Sequence, residues 1–315
     1  MSKALKEIGP PKITLADENA PDGDEARNRK RPGSTSANVL VDISARSHPG
    51  LVRQNNEDSF LVNTLERRMT TLRTNLPPSQ IAEDYAEIVY GMIVADGMGG
   101  AAAGEVASST AISALVDLII ETPDWIMRLD DERAARVLKR TEHRIERLGA
   151  VLAEATRIDP ELSGMGTTLT VAASLGSDLL IAHVGDSRAY LYTEGQLIQL
   201  TKDQTMAQLL ADVGVISEDD LATHHARHIL TSAITASKSK IEIELQHLHL
   251  ADGDRVLLCS DGLTDMVSDR DIQTILKEKQ TAAEICQSLV DVALAGGGKD
   301  NITVISANYQ IPKPA

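Results

Sequence analysis

Val94-Ala95-Asp96-Gly97-Met98-Gly99-Gly100 closes an apolar run that begins at Ile88. An apolar run that stops abruptly at an acid and a cluster of glycines predicts a buried strand with a carboxylate at its mouth and a sharp turn beside it. A carboxylate next to a residue without a side chain suits a hard cation. Asp96 offers oxygens, and nothing obstructs the Gly97 carbonyl. An isolated pair of this kind is more often a simple turn.

The pattern recurs. Val256-Leu257-Leu258-Cys259-Ser260-Asp261-Gly262 is a second apolar run ending in an acid and a glycine, and Leu180 to Ser187 ends in Gly185-Asp186. Gly298-Lys299-Asp300-Asn301 leads into Ile302-Thr303-Val304-Ile305, and Arg53 to Asp58 leads into Ser59-Phe60-Leu61-Val62. Acids therefore stand at the mouths of several expected strands. Brought together they would repel one another unless cations neutralised them, which predicts a multi-metal site built from oxygen ligands.

Composition sets the limits. The 315 residues are 42% hydrophobic but only 2% aromatic, so a sizeable core must be aliphatic. A net charge of -15 argues against non-specific binding to nucleic acid or anionic lipid, and an anionic substrate would need local cations. The two cysteines, Cys259 and Cys286, are expected to be buried and reduced. No apolar stretch is expected to span a membrane, and Met1 to Lys6 lacks the apolar segment of a secretory signal. The expectation is a cytoplasmic protein.

Along the chain, residues 1–37 are polar, without lasting periodicity, and are expected to form a disordered tail; Arg27 to Arg31 is a basic cluster within it. Strands are expected at Val39–Ser44 and Phe60–Val62. Residues 64–87 are an insertion, read as a long hairpin excursion with a short helix. Amphipathic helices are predicted for Gly104–Glu121 and Asp130–Arg157. Strands follow at Thr167–Ala173, within Leu179–Tyr192 and at Leu197–Leu200. Thr205–Gly214 is expected to be helical, and 216–236 irregular and polar. Residues 216–236 form a candidate mobile flap. Ile241–Leu250 alternates, and Asp252-Gly253 is expected to make a hairpin into Arg255–Cys259. Helices at Ile272–Lys277 and Ala282–Ala295 precede a closing strand at Asn301–Asn308, and 311–315 form a tail. Many strands with few one-for-one helices predict an α+β fold of antiparallel sheets covered by helices.

The acids imply a chemistry. Two hard cations bridged by one carboxylate can share and acidify a water, while screening an incoming phosphate. Arg53, just before Glu57-Asp58, can grip phosphate through two parallel hydrogen bonds.

Taken in order, Arg53-x-x-Asn56-Glu57-Asp58, Asp96-Gly97-Met98-Gly99-Gly100, Gly166-Thr167-Thr168, Gly185-Asp186-Ser187-Arg188, Ser260-Asp261-Gly262 and Asp300-Asn301 closely resemble the bacterial metal-dependent serine/threonine protein phosphatases, the PPM or protein phosphatase 2C family. The resemblance runs from about Val39 to Ala307 and gives a domain of residues 38–310. It implies a four-layer α-β-β-α sandwich with a helix pair on each outer face, and a dinuclear Mn²⁺ or Mg²⁺ centre. It implies that Asp96 bridges the metals, that the Gly97 carbonyl binds one, and that Asp261 and Asp300 bind the other. Glu57 would hold a metal's water, Asp58 and Asp186 would help bind a third, weaker ion, Arg53 would hold the substrate phosphate, and residues 205–236 would form a flap that affects substrate choice. Implied partners are phosphorylated proteins, opposite a serine/threonine kinase, with the enzyme a monomer. Two positions depart from the pattern. Met98 stands where some members carry a histidine, and Gln204 where a histidine is common.

His224, His225 and His228 read as exposed flap histidines rather than a zinc site, since no Cys or further His accompanies them. Ser187 lacks the surroundings of a nucleophile. Gly296-Gly297-Gly298 lacks the Lys-Ser/Thr of a phosphate cradle. A competing reading keeps the scaffold but makes it a non-catalytic module that engages a regulatory partner.

Overall fold

The computed structural model describes residues 39–77, 81, 84–100, 103–122, 131–236 and 241–312. The expected N-terminal tail 1–37, with its basic cluster 27–31, and residues 313–315 lie outside the described residues.

Twelve strands and six α-helices are described. The strands are β1 (Leu40–His48), β2 (Asp58–Thr70), β3 (Asp84–Met98), β4 (Gly166–Thr167), β5 (Leu169–Leu175), β6 (Asp178–Val184), β7 (Arg188–Thr193), β8 (Gln196–Gln199), β9 (Ile234–Thr235), β10 (Glu244–His249), β11 (Arg255–Cys259) and β12 (Ile302–Gln310). The helices are α1 (Ala103–Glu121), α2 (Asp131–Ile158), α3 (Met206–Asp212), α4 (Asp261–Thr264), α5 (Asp269–Lys277) and α6 (Ala282–Ala295). One sheet has the order β1-β12-β11-β7-β8. The other runs β10-β6-β5-β3-β4-β9, with β2 also on β3. Every pairing is antiparallel.

Three apolar clusters fill the three gaps between four layers. Met92, Val94, Ile181, Val256, Leu258 and Ile305 meet between the sheets. Ile93 and Ala95 point the other way, onto Ala107, Ala111 and Leu115 of α1 and Ile145, Leu148 and Leu152 of α2. Leu257 and Cys259 pack with Ile272, Ile285 and Leu289 of α5 and α6. Strands buried on both faces have no polar side, which is why 88–95 and 256–259 read as unbroken apolar runs.

Four expectations need correction. Within 64–87 the hairpin is present but the short helix is not: β2 and β3 pair in register from Asp58↔Asp96 out to Thr70↔Asp84, and no helix interrupts them among the described residues. Asp252-Gly253 does not close a hairpin, because β10 pairs with β6 in one sheet and β11 with β7 and β12 in the other. The turn carries the chain between sheets. Ile311 is docked rather than trailing: its N–H donates to Asp252 Oδ1 at 2.9 Å, and its side chain packs on the inter-sheet core. Finally, α1 is by length and composition apolar enough to cross a membrane. Here its buried face, including Ala107, Ala111 and Leu115, packs on the sheet.

Candidate active site

The ends of β3, β11 and β12 open on one cavity of about 1060 Å³. Its wall carries Arg53, Glu57, Asp96, Gly97, Asp186, Asp261 and Asp300, with Met98, Arg227, His228, Asp265 and Asn301 beside them. Of the residues that the resemblance assigns to the metals and the phosphate, Asp58 is the one missing from this wall. It sits behind Asp96, opposite it in the β2–β3 register, and is buried.

The short motifs hold Asp96 in place. Its N–H donates to Thr168 Oγ1 at 2.9 Å, and its carbonyl accepts from the Thr168 N–H and from Thr167 Oγ1, both at 2.9 Å. Thr168 Oγ1 in turn shares a 2.9 Å hydrogen bond with Ser187 Oγ. Gly97 is required by close packing: a Cβ there would lie 2.0 Å from the Gly104 carbonyl oxygen. Gly262 repeats the device, since its Cβ would lie 2.0 Å from the Asn301 carbonyl oxygen.

Asn301 ties the Arg53 loop to the site. Its Nδ2 donates to the carbonyls of Pro49 (2.9 Å) and Asn55 (2.8 Å), and its Oδ1 accepts from the Glu57 N–H at 2.8 Å. Arg53 Nη2 reaches Asp300 Oδ2 at 2.7 Å. Asp58 is held by Ser260 Oγ at 2.7 Å, yet its Oδ1 has no hydrogen-bond partner among the described residues.

Gln204 has a clear role. Its Oε1 accepts from the Gly185 N–H at 2.8 Å and its Nε2 donates to the Glu242 carbonyl at 3.2 Å, so the amide pins the turn that presents Asp186. An imidazole also has one donor and one acceptor nitrogen, which is why either residue type suits the position. Arg188 closes the same region through paired bonds to Asp203 at 2.8 and 2.7 Å.

Residues 205–236 contain α3, a 3₁₀ turn at Glu218–Thr223 and β9. They bring in what the sequence reading missed. His228 is exposed, as expected, but its ring lies 3.8 Å from Asp261 and 3.6 Å from Asp265, and Arg227 lies 3.4 Å from Asp265. His224 and His225 stack on each other instead, with ring centroids 4.4 Å apart. Asp265, which caps α4 one turn after Asp261, could have been found from that spacing.

Crowding of the acids has an electrostatic cost. Burial, then the neighbouring carboxylates of Asp58, Asp261, Asp186 and Asp300, raises the Asp96 pKa well above the carboxylate range. Burial and Asp261 do the same to Asp186. Burial pushes Asp58 up to about 7. Glu57 is raised by burial, and His228 is raised by the nearby Asp261 carboxylate. Cations remove this penalty. An all-oxygen wall, an unpartnered buried Asp58 oxygen and a carbonyl at Gly97 with no side chain beside it fit hard divalent ions.

The sequence profile described as protein phosphatase 2C matches residues 80–294. The chain belongs to the protein phosphatase 2C family. Over 272 residues it is 38% identical to the serine/threonine protein phosphatase PstP of Mycobacterium tuberculosis, covering 86% of this chain and 45% of that protein. The chain thus spans about half the length of that relative. Over 214 residues it is 39% identical to the serine/threonine phosphatase stp of Listeria monocytogenes, covering 68% of this chain and 82% of that one. Among solved structures of the family, the catalytic domain of PstP in complex with two manganese ions superposes with a TM-score of 0.67 at 35% identity, over 86% of this chain and 99% of that one.

Proposed function

We propose that this chain is a metal-dependent protein phosphatase that hydrolyses phosphoserine and phosphothreonine, using two Mn²⁺ or Mg²⁺ ions. The observation that carries the reading is the convergence of Asp96, Gly97, Asp261 and Asp300, from two different sheets, on one cavity with Arg53 at its rim. The names of the relatives and the two manganese ions in a family neighbour support it.

Asp96, with the Gly97 carbonyl, would hold both ions from the seven-stranded sheet, and Asp261 and Asp300 would complete one of them from the five-stranded sheet. Glu57 would orient a water ligand, and Asp186 would serve a third, weaker ion, with Asp58 supporting the cluster from behind. Bound there, the ions would neutralise the acids, screen the phosphate and lower the pKa of a shared water. Arg53 would grip two phosphate oxygens in a fork, while Asp300 keeps its guanidinium facing the cavity. Attack of water on phosphorus forms one P–O bond and breaks the bond to the serine or threonine oxygen. That oxygen leaves as the hydroxyl, and inorganic phosphate is released. The substrates would be phosphoproteins made by a serine/threonine kinase, and the enzyme would act as a monomer.

The test is hydrolysis of p-nitrophenyl phosphate and of a phosphothreonine peptide with Mn²⁺. Turnover that a chelator abolishes is expected. Turnover that persists in chelator, or in Asp96→Asn, overturns the reading. A non-catalytic binding module would bind a partner without either turnover.

A further inference from the structure

A cluster of two histidines and an aspartate lies away from the cavity, on the outer edge of the seven-stranded sheet. β10 is the edge strand, and His247 and His249 stand two residues apart on it, so they share a face. The alternation read from the sequence changes phase here. Ile243 and Leu245 face the α1–α2 layer, whereas Leu248 faces the inter-sheet core. The two histidines continue the outward row beyond the apolar contact.

Asp178, the first residue of β6, is directly opposite His249 in the register. A single carboxylate oxygen, Asp178 Oδ1, lies 2.9 Å from His247 Nε2 and 3.0 Å from His249 Nδ1. The three donor atoms all lie within 4.8 Å of one another. The rings meet edge to face, with centroids 5.0 Å apart. Asp178 and the His247 side chain are about 15% and 14% exposed, so the donors are partly shielded, while His249 leaves the site open to solvent.

A second observation comes from α2. The other ring nitrogen of His247, Nδ1, faces Asp131 Oδ1 at 3.7 Å, longer than a hydrogen bond, and the Asp131 side chain is almost fully exposed, free to swing in. A carboxylate behind the far nitrogen of an imidazole is how a metal-bound histidine is usually held in its tautomer and made more basic. Two imidazoles and one carboxylate, open on one side, suit a borderline transition ion such as Zn²⁺ rather than Mg²⁺ or Ca²⁺. Ligands held about 2.0–2.1 Å from a tetrahedral zinc stand roughly 3.3 Å apart, so each histidine nitrogen would give up its direct contact with Asp178 Oδ1 and move out by a few tenths of an ångström, which side-chain rotation supplies.

We propose that His247, His249 and Asp178 form a transition-metal site that takes Zn²⁺, separate from the catalytic cavity, with Asp131 as its supporting carboxylate. The site joins β10 to β6 and to the start of α2. It does not depend on the phosphatase reading.

The experiment uses the full, tag-free chain with excess Mn²⁺ to fill the oxygen site, and titrates Zn²⁺ by calorimetry. One equivalent of Zn²⁺ should bind, with an upward shift in melting temperature. His249→Ala, at an exposed position, should weaken that binding at least about tenfold, as should Asp178→Asn, while hydrolysis of p-nitrophenyl phosphate with Mn²⁺ stays unchanged. Asp96→Asn should leave the Zn²⁺ equivalent intact. Absence of that equivalent, or its survival unaltered in both His249→Ala and Asp178→Asn, would show a hydrogen-bonded His–Asp cluster without a metal and overturn the proposal.

Discussion

Asp96-Gly97 and Asp261-Gly262 look alike in sequence, each closing an apolar run, and both glycines are required by the same close backbone contact. Their surroundings differ. Asp96 is fixed by Thr167, Thr168 and, through Thr168, Ser187, and backed by Asp58 across the strand pair. Asp261 begins the short helix α4 and faces His228 and the open cavity. The same local signal thus produces one rigid, electrostatically crowded carboxylate and one that touches the 205–236 segment. The lesson is that the Asp-Gly pair sets backbone shape, whereas the neighbours decide what each carboxylate can do.

The sharpest way to break this contrast is to neutralise each acid in turn. Asp96→Asn should lower kcat with Mn²⁺ by on the order of 10³-fold, and Asp261→Asn by about 10²-fold, measured on p-nitrophenyl phosphate. Equal losses would erase the distinction. The two glycines should behave as a matched pair instead. Gly97→Ala and Gly262→Ala should each destabilise the fold by about 3 kcal/mol, read from denaturant unfolding, because each new methyl meets backbone rather than a movable side chain.

The pH dependence of the metal-free protein probes chiefly the buried acids around Asp96, although on the Asp261 side Asp265 is raised by burial and His228 by the Asp261 carboxylate. Asp58 is raised from 3.8 to about 7, and Asp96 and Asp186 are also raised. The folded state therefore holds protons that the unfolded chain has released. Their contribution is complete below about pH 4 and is lost as pH rises towards 7. The melting temperature without metal should fall across that window, and Mn²⁺ should flatten the curve. Asp58→Asn should reduce the slope. The smallest effect should come from the Asp261 side: His228→Ala should change the KM for a phosphopeptide by only a few-fold, since an exposed ion pair contributes little.

Much of this site was legible in the sequence because its signals are local. An apolar run ending at Asp96, Asp261 or Asp186 marks a strand mouth whatever the strand pairs with. The order of the motifs then singles out one family and, with it, the sandwich. Pairing partners were less legible. Asp252-Gly253 has hairpin chemistry, but β10 pairs with β6 and β11 with β7 and β12, partners that lie far away in sequence. The approach of His228 to Asp261 depends on how residues 205–236 fold back, which no short-range pattern records. α1 reads as membrane-like because it is a core helix, and burial in protein selects the same residues as burial in lipid.

The acids reach the cavity from opposite halves of the sandwich: Asp96 from one sheet, Asp261 and Asp300 from beside the strands of the other. An ion gripped by both would act as a clasp across that end of the molecule. Ion affinity and sheet alignment then become linked equilibria, each strengthening the other. A distant lesion that lets the halves slip would first surface as weakened metal retention, well before the protein melts.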